Sequence, residues 1–100
     1  MKSGFVYIVT NKNNTTYYTG VTSSLVKRVY DHKLDIGSVF TKKYKLNKLV
    51  YYEVCNSMLE AIVREKQIKD MNRNKKIKMI HNLNPNFVDL FDEIKKLSLW

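Results

Sequence analysis

Two β-rich runs, Phe5 to Thr10 (FVYIVT) and Thr15 to Val21 (TTYYTGV), are separated only by Asn11-Lys12-Asn13-Asn14. β-branched and aromatic residues suit a pleated surface, and asparagines tolerate the left-handed conformations of tight turns. An antiparallel hairpin follows, with Tyr7 on its first strand and Tyr18 on its second. Gly20 ends the second run. Thr22, Ser23 or Ser24 can then cap a helix over about Leu25 to Leu34. Its apolar side is Leu25, Val26, Val29 and Tyr30. Arg28 and His32, four residues apart, stack on one edge of that helix. Within 30 residues the chain therefore assembles two phenols, a guanidinium and an imidazole.

A chain of 100 residues supports one domain with one modest core. With 44% hydrophobic residues, 3 Gly and 1 Pro it is neither disordered nor linker-like. Net charge is +9, and residues 1–50 hold 9 Lys/Arg against 2 Asp/Glu. So strong a positive field draws polyanions, nucleic acid first, although a basic surface also serves solubility. The single cysteine, Cys55, excludes an intramolecular disulfide and a Cys-based metal cluster, and reads as a small core hydrophobe. The apolar run at the start breaks after Thr10, too short for a signal peptide or a membrane span. A cytoplasmic protein is expected.

The segment Asp35 to Asn47 has no clean period and reads as a loop. It interleaves Lys42, Lys43, Lys45 and Lys48 with Phe40 and Tyr44. Leu49 to Val54 is a third strand. From Ser57 a helix runs to about Met71, turning Met58, Ala61, Ile62 and Ile68 to the core. Glu65 falls on that face. A carboxylate there needs a partner or a cation at the lip of a cleft, or else an ordinary ion pair with Arg64 or Lys69. Arg73 to Met79 is a basic stretch leading into a short helix that stops before Asn84-Pro85. Phe87, Leu90, Phe91, Ile94 and Leu97 then mark one face of a last amphipathic helix, either core cover or a surface for a protein partner.

Hydrolysis of a phosphodiester needs these side chains. Tyr or His can relay a proton from water, Arg can hold phosphoryl oxygens, and a lone carboxylate can hold a hydrated divalent ion. At this point VYI (Val6 to Ile8) and YTG (Tyr18 to Gly20), with the arginine and histidine of KRVYDH and the glutamate of EAIVREKQIK, resemble the GIY-YIG endonuclease superfamily. The likeness is to its small single-domain bacterial members, related to the nuclease module of the excinuclease C subunit, and it runs from about Phe5 to Pro85.

The resemblance implies an α+β fold: a three-stranded antiparallel sheet flanked by helices in the order β-β-α-β-α-α, with residues 1–84 forming the nuclease-like domain and residues 85–100 a C-terminal helix packed on it. It implies catalytic roles for Tyr7, Tyr18, Arg28, His32 and Glu65, with Glu65 holding one Mg²⁺ or Mn²⁺. Which tyrosine is the base stays open. Lys27, Lys42, Lys43, Tyr44, Lys45, Arg73 and Lys76 are the expected nucleic-acid contacts. The expected activity is a metal-dependent DNA endonuclease, in repair or processing, on branched or damaged DNA, with RNA left open. The alternative is a module on the same fold that binds nucleic acid without cleaving it. Two departures stand out. The motifs read VYI and YTG rather than GIY and YIG, both keeping the tyrosine, and Asn72, Asn74 and Asn82 compete with Lys76 for the family's asparagine position.

Overall fold

The computed structural model describes residues 3–100. Its elements run β1 (Gly4–Thr10), β2 (Tyr17–Thr22), α1 (Leu25–Lys33), α2 (Val39–Lys43), β3 (Lys48–Cys55), α3 (Met58–Lys69), α4 (Arg73–Leu83) and α5 (Phe91–Lys96). The three strands form one antiparallel sheet in the order β2-β1-β3. The α+β architecture and its element order match the sequence expectation, with α2 as an addition.

The hairpin closes as the asparagines dictate. Asn14 takes a left-handed φ of 57° and its N–H bonds the Asn11 carbonyl at 3.0 Å. The Asn11 side chain accepts from the backbone of Thr15 and Thr16, fixing the register that sets Tyr7 opposite Gly20 and Val9 opposite Tyr18.

β1 is central and buried along its whole length, so alternate residues feed two cores. Phe5, Tyr7 and Val9 join Leu25, Val26, Val29, Leu46, Leu49 and Ile94 under α1 and α5. Val6 and Ile8 join Val50, Tyr51, Ala61, Ile68 and Ile80 under α3 and α4. A register shift between Ile8 and Val9 lets Val50 and Tyr51 both serve the second core, an assignment strict alternation forbids. Gly4 lets α3 sit close to the sheet, since a Cβ there would run into the Ala61 side chain and the Ser57 carbonyl.

Several expectations are corrected. The presumed loop Asp35 to Asn47 contains α2, capped by Ser38, whose Oγ accepts from the Thr41 N–H at 3.1 Å. The five-residue helix is too short to show a period, and its buried position is a threonine. The basic stretch from Arg73 is itself helical, because the Asn72 side chain caps α4 by accepting from Lys75 N–H at 2.8 Å. Tyr30 is 51% exposed rather than core, lying stacked beside Phe91, and Ile62 faces outward while Ala61 and Ile68 carry the α3 contact.

The last helix starts at Phe91, not near Phe87. The cause is Asn84. Its side chain is buried, donates to the carbonyls of Val50 (3.2 Å) and Val88 (2.8 Å), and accepts from Val88 N–H (3.1 Å). The chain is thereby held against β3 as an irregular strap, with Phe87 at φ 51° packed on the second core and Ile94 delivered to the first. Leu97 is left exposed. Asn84→Ala strands two carbonyls and an amide, and is expected to cost about 2 kcal/mol of stability, with Tm lowered by roughly 10 °C. Urea and thermal unfolding measure it, and a change below about 0.5 kcal/mol, the range of a neutral surface substitution, would contradict this role.

Candidate active site

Tyr7 is the hub. Its ring fills the first core, and its hydroxyl lies 2.9 Å from Nε2 of His32 and 3.4 Å from Nε of Arg28. Arg28 is held by its other end, donating through Nη2 to the Gly37 carbonyl at 2.9 Å. His32 is buried, and its Nδ1 stands 3.1 Å from Oγ1 of Thr41.

Thr41 Oγ1 lies 2.8 Å from Ser38 Oγ and 3.3 Å from the Ser38 carbonyl, so His32, Thr41 and Ser38 form one hydrogen-bonded chain in which either hydroxyl can be the donor to the other. In the tautomer that carries the proton on Nδ1, Nε2 accepts from the Tyr7 hydroxyl, and Tyr7 oxygen keeps lone-pair capacity for one further donor beside Arg28.

Two glycines make room for this wire. A Cβ on Gly20 would overlap the Tyr7 phenol, and one on Gly37 would overlap the His32 ring. Neither has positive φ, so close approach rather than turn geometry requires them. Gly37, Ser38 and Thr41 were not singled out as site residues from the sequence. The visible signal was a Gly-Ser step followed three residues later by a threonine, which marks a helix N-terminus as readily as a site.

Tyr18 packs beside them, its ring centroid 6.5 Å from Tyr7, 5.9 Å from His32 and 6.2 Å from Phe40. Glu65 approaches this cluster from α3. Its charge is felt at Tyr7, where it is the last and smallest of the influences raising the phenol. Burial is the largest and pushes Tyr7 up to about 12, against the pull of Arg28. Burial, reinforced by the Arg28 charge, brings His32 down to about 4. At neutral pH the pair is an uncharged phenol bonded to an uncharged imidazole.

Glu65 is the candidate metal ligand. Its side chain is 15% exposed and its Oε1 is 3.6 Å from Nζ of Lys69, one turn along. Among the described residues no three His, Cys, Asp or Glu side chains gather into a ready-made cage. The donor set is therefore one carboxylate that already attracts a cation, which fits Mg²⁺ or Mn²⁺ keeping most of its waters.

The expected nucleic-acid contacts divide into three places. Lys42, Lys43, Tyr44 and Lys45 are exposed on and just after α2, beside Phe40, whose ring is 4.8 Å from that of Tyr44. Arg73 and Lys76 lie on α4, where Arg73 stacks 5.4 Å from the Tyr17 ring and donates to the Thr15 carbonyl. Lys27 lines a separate groove with Val26, Tyr30, Phe91, Lys95 and Trp100. For the family's asparagine position, Asn72 is spent as the α4 cap, and Asn74 and Asn82 are exposed on α4.

Residues 3–78 match the family model of the GIY-YIG catalytic domain. The chain belongs to that nuclease-domain family, for which nucleic acid is the implied substrate. It is 40% identical over 80 residues to a UPF0213 protein of Staphylococcus haemolyticus, covering 80% of this chain and 96% of that one. A UPF0213 protein of Clostridium perfringens is 38% identical over 76 residues, covering 76% and 81% of the two chains. The solution NMR structure of a UPF0213 protein from Bacillus halodurans is similar in fold, with TM-score 0.56, 25% identity, and coverage of 87% of this chain and 92% of that one.

Two predictions test the wire. Because folded His32 titrates near 4 and an unfolded histidine near 6.5, the unfolded state alone gains a proton between those values. Stability is thus whole above about pH 6.5 and falls as pH drops toward 4, by of order 2 kcal/mol once solvent screening is allowed for. Urea unfolding from pH 7 to 4 should show this step, and His32→Gln should remove it; equal pH profiles would refute the buried neutral imidazole. Gly20→Ala, by displacing the phenol, should cost about 1–3 kcal/mol and return the His32 pKa, read by NMR, toward its ordinary value. An unmoved His32 pKa would show that Tyr7 needs no such space.

Proposed function

We propose that this chain is a metal-dependent endonuclease that hydrolyses phosphodiester bonds in DNA, acting in repair or processing. The observation that supports the reading is the cluster of Tyr7 with Tyr18, Arg28 and His32, which also feels the Glu65 charge, inside a GIY-YIG catalytic domain.

The roles follow from the donors and acceptors. With His32 protonated on Nδ1, Tyr7 oxygen has a free lone pair, so it accepts a hydrogen bond from the attacking water and orients it. With a phenol near 12, Tyr7 does not ionise beforehand. The water proton passes to Tyr7 oxygen as the phenolic proton passes to Nε2 of His32, while the water oxygen bonds to phosphorus and the bridging oxygen departs. Arg28, anchored by Gly37, is placed to balance the negative charge that grows on the phosphoryl oxygens. A divalent ion on Glu65 would polarise the phosphate and stabilise the departing oxygen. Tyr18 packs beside Tyr7 and His32.

The α2 surface supports a nucleic-acid substrate. Phe40 and Tyr44 are 44% and 42% exposed beside Lys42, Lys43 and Lys45, a mixture that can stack bases and hold phosphates. The same surface would serve a module that binds without cleaving, and Glu65 separates the two readings.

Plasmid and branched DNA, incubated with and without Mg²⁺, should be nicked only with the metal. Glu65→Gln and Tyr7→Phe should lower the rate by at least about 10³-fold with binding retained, and Arg28→Ala by about 10²–10³-fold. Well-folded protein that binds DNA yet nicks nothing with any divalent ion, and is indifferent to Glu65→Gln, would support the binding module instead.

A further inference from the structure

One cation already stands at the proposed metal ligand. Lys69 follows Glu65 by one turn of α3, its Nζ 3.6 Å from the Glu65 carboxylate and 6.0 Å from the centroid of the Tyr18 ring. The ammonium therefore stands near both the carboxylate and the Tyr18 ring. Its own side chain is 49% exposed, so the ammonium is not locked in place by packing.

We propose that Lys69 is a tethered cation that holds Glu65 in the metal-free protein and must leave before a divalent ion binds, so that metal affinity depends on a polyanion that receives the displaced ammonium. The inference rests on the reading of Glu65 as the metal ligand.

The charges define the coupling. An ammonium and a divalent ion sharing one carboxylate repel strongly in a partly dehydrated site. Lys69 must move, and its surroundings are already positive. Lys76 of α4 is half-buried nearby, its ammonium pushed below the ordinary range by burial first and by the Lys69 charge second. Without an anion, moving Lys69 away from Glu65 gives up an attraction while the repulsion from Lys76 persists. A phosphate group of the substrate class proposed above, lying between Lys69 and Lys76, reverses that sign. Metal and polyanion then each raise the affinity for the other, as linkage requires. An enzyme built this way assembles its metal centre chiefly on its substrate.

Mn²⁺ binding to the full chain, followed by electron paramagnetic resonance without nucleic acid, tests the first half. Lys69→Met should bind Mn²⁺ at least fivefold more tightly than wild type. Lys69→Arg should behave as wild type, and Lys66→Met, an exposed lysine one residue beyond Glu65, should change affinity by less than twofold. Heparin, a polyanion without a scissile phosphodiester, tests the second half. After correction for Mn²⁺ held by heparin alone, it should tighten Mn²⁺ binding to wild type severalfold and leave Lys69→Met unaffected. Binding that Glu65→Gln abolishes but that is equal in wild type and Lys69→Met would overturn the inference and leave the metal reading standing. A heparin effect of equal size in both proteins would also overturn it. No Mn²⁺ binding by either protein would overturn both readings together.

Discussion

The hydrogen bond between the Tyr7 hydroxyl and Nε2 of His32 ties the sheet to α1, and much of the site geometry depends on it. Both side chains are buried, so each polar atom needs a partner at hand. Tyr7 finds His32 and Arg28, His32 finds Thr41, and Thr41 finds Ser38. This wire links β1, α1 and α2 through groups whose directions are fixed by each other. A network of that kind is costly when broken and narrow in its allowed geometries, so it holds the Tyr7 oxygen in one orientation.

Burial also sets the chemistry. Apolar neighbours on the α1 side raise the Tyr7 phenol and lower the His32 imidazole, so both stand uncharged around neutral pH. The charges stand beside this wire instead, on Arg28 and on the Glu65 and Lys69 pair. Further basic residues lie along α2 and along α4, whereas Lys27 lines a separate groove.

Much of the fold was legible from patterns that act within a few residues. β-branched runs, an asparagine turn and helical spacing give the hairpin, α1, β3 and α3, and the tyrosine, arginine, histidine and glutamate positions could be singled out from them. The hidden parts share a cause, which is that a distant group decides the conformation. Asn84 reads locally as the end of a helix, yet its side chain is consumed by Val50 and Val88 and turns the following residues into a strap. The bulge that places Val50 and Tyr51 on one face, and the outward turn of Tyr30, likewise arise where β1 meets β3 and where α1 meets α5.

The sequence by itself determined which chemical groups are present, how they are spaced along each element, and the excess of positive charge, because these depend only on residue type and short-range periodicity. The tertiary structure decided which groups meet. It set a threonine nine residues away against Nδ1 of His32, required Gly20 and Gly37 for the space taken by two rings, and brought Lys69 and Glu65 around to the tyrosines. Those outcomes are steric and electrostatic relations across the fold, and no local rule contains them.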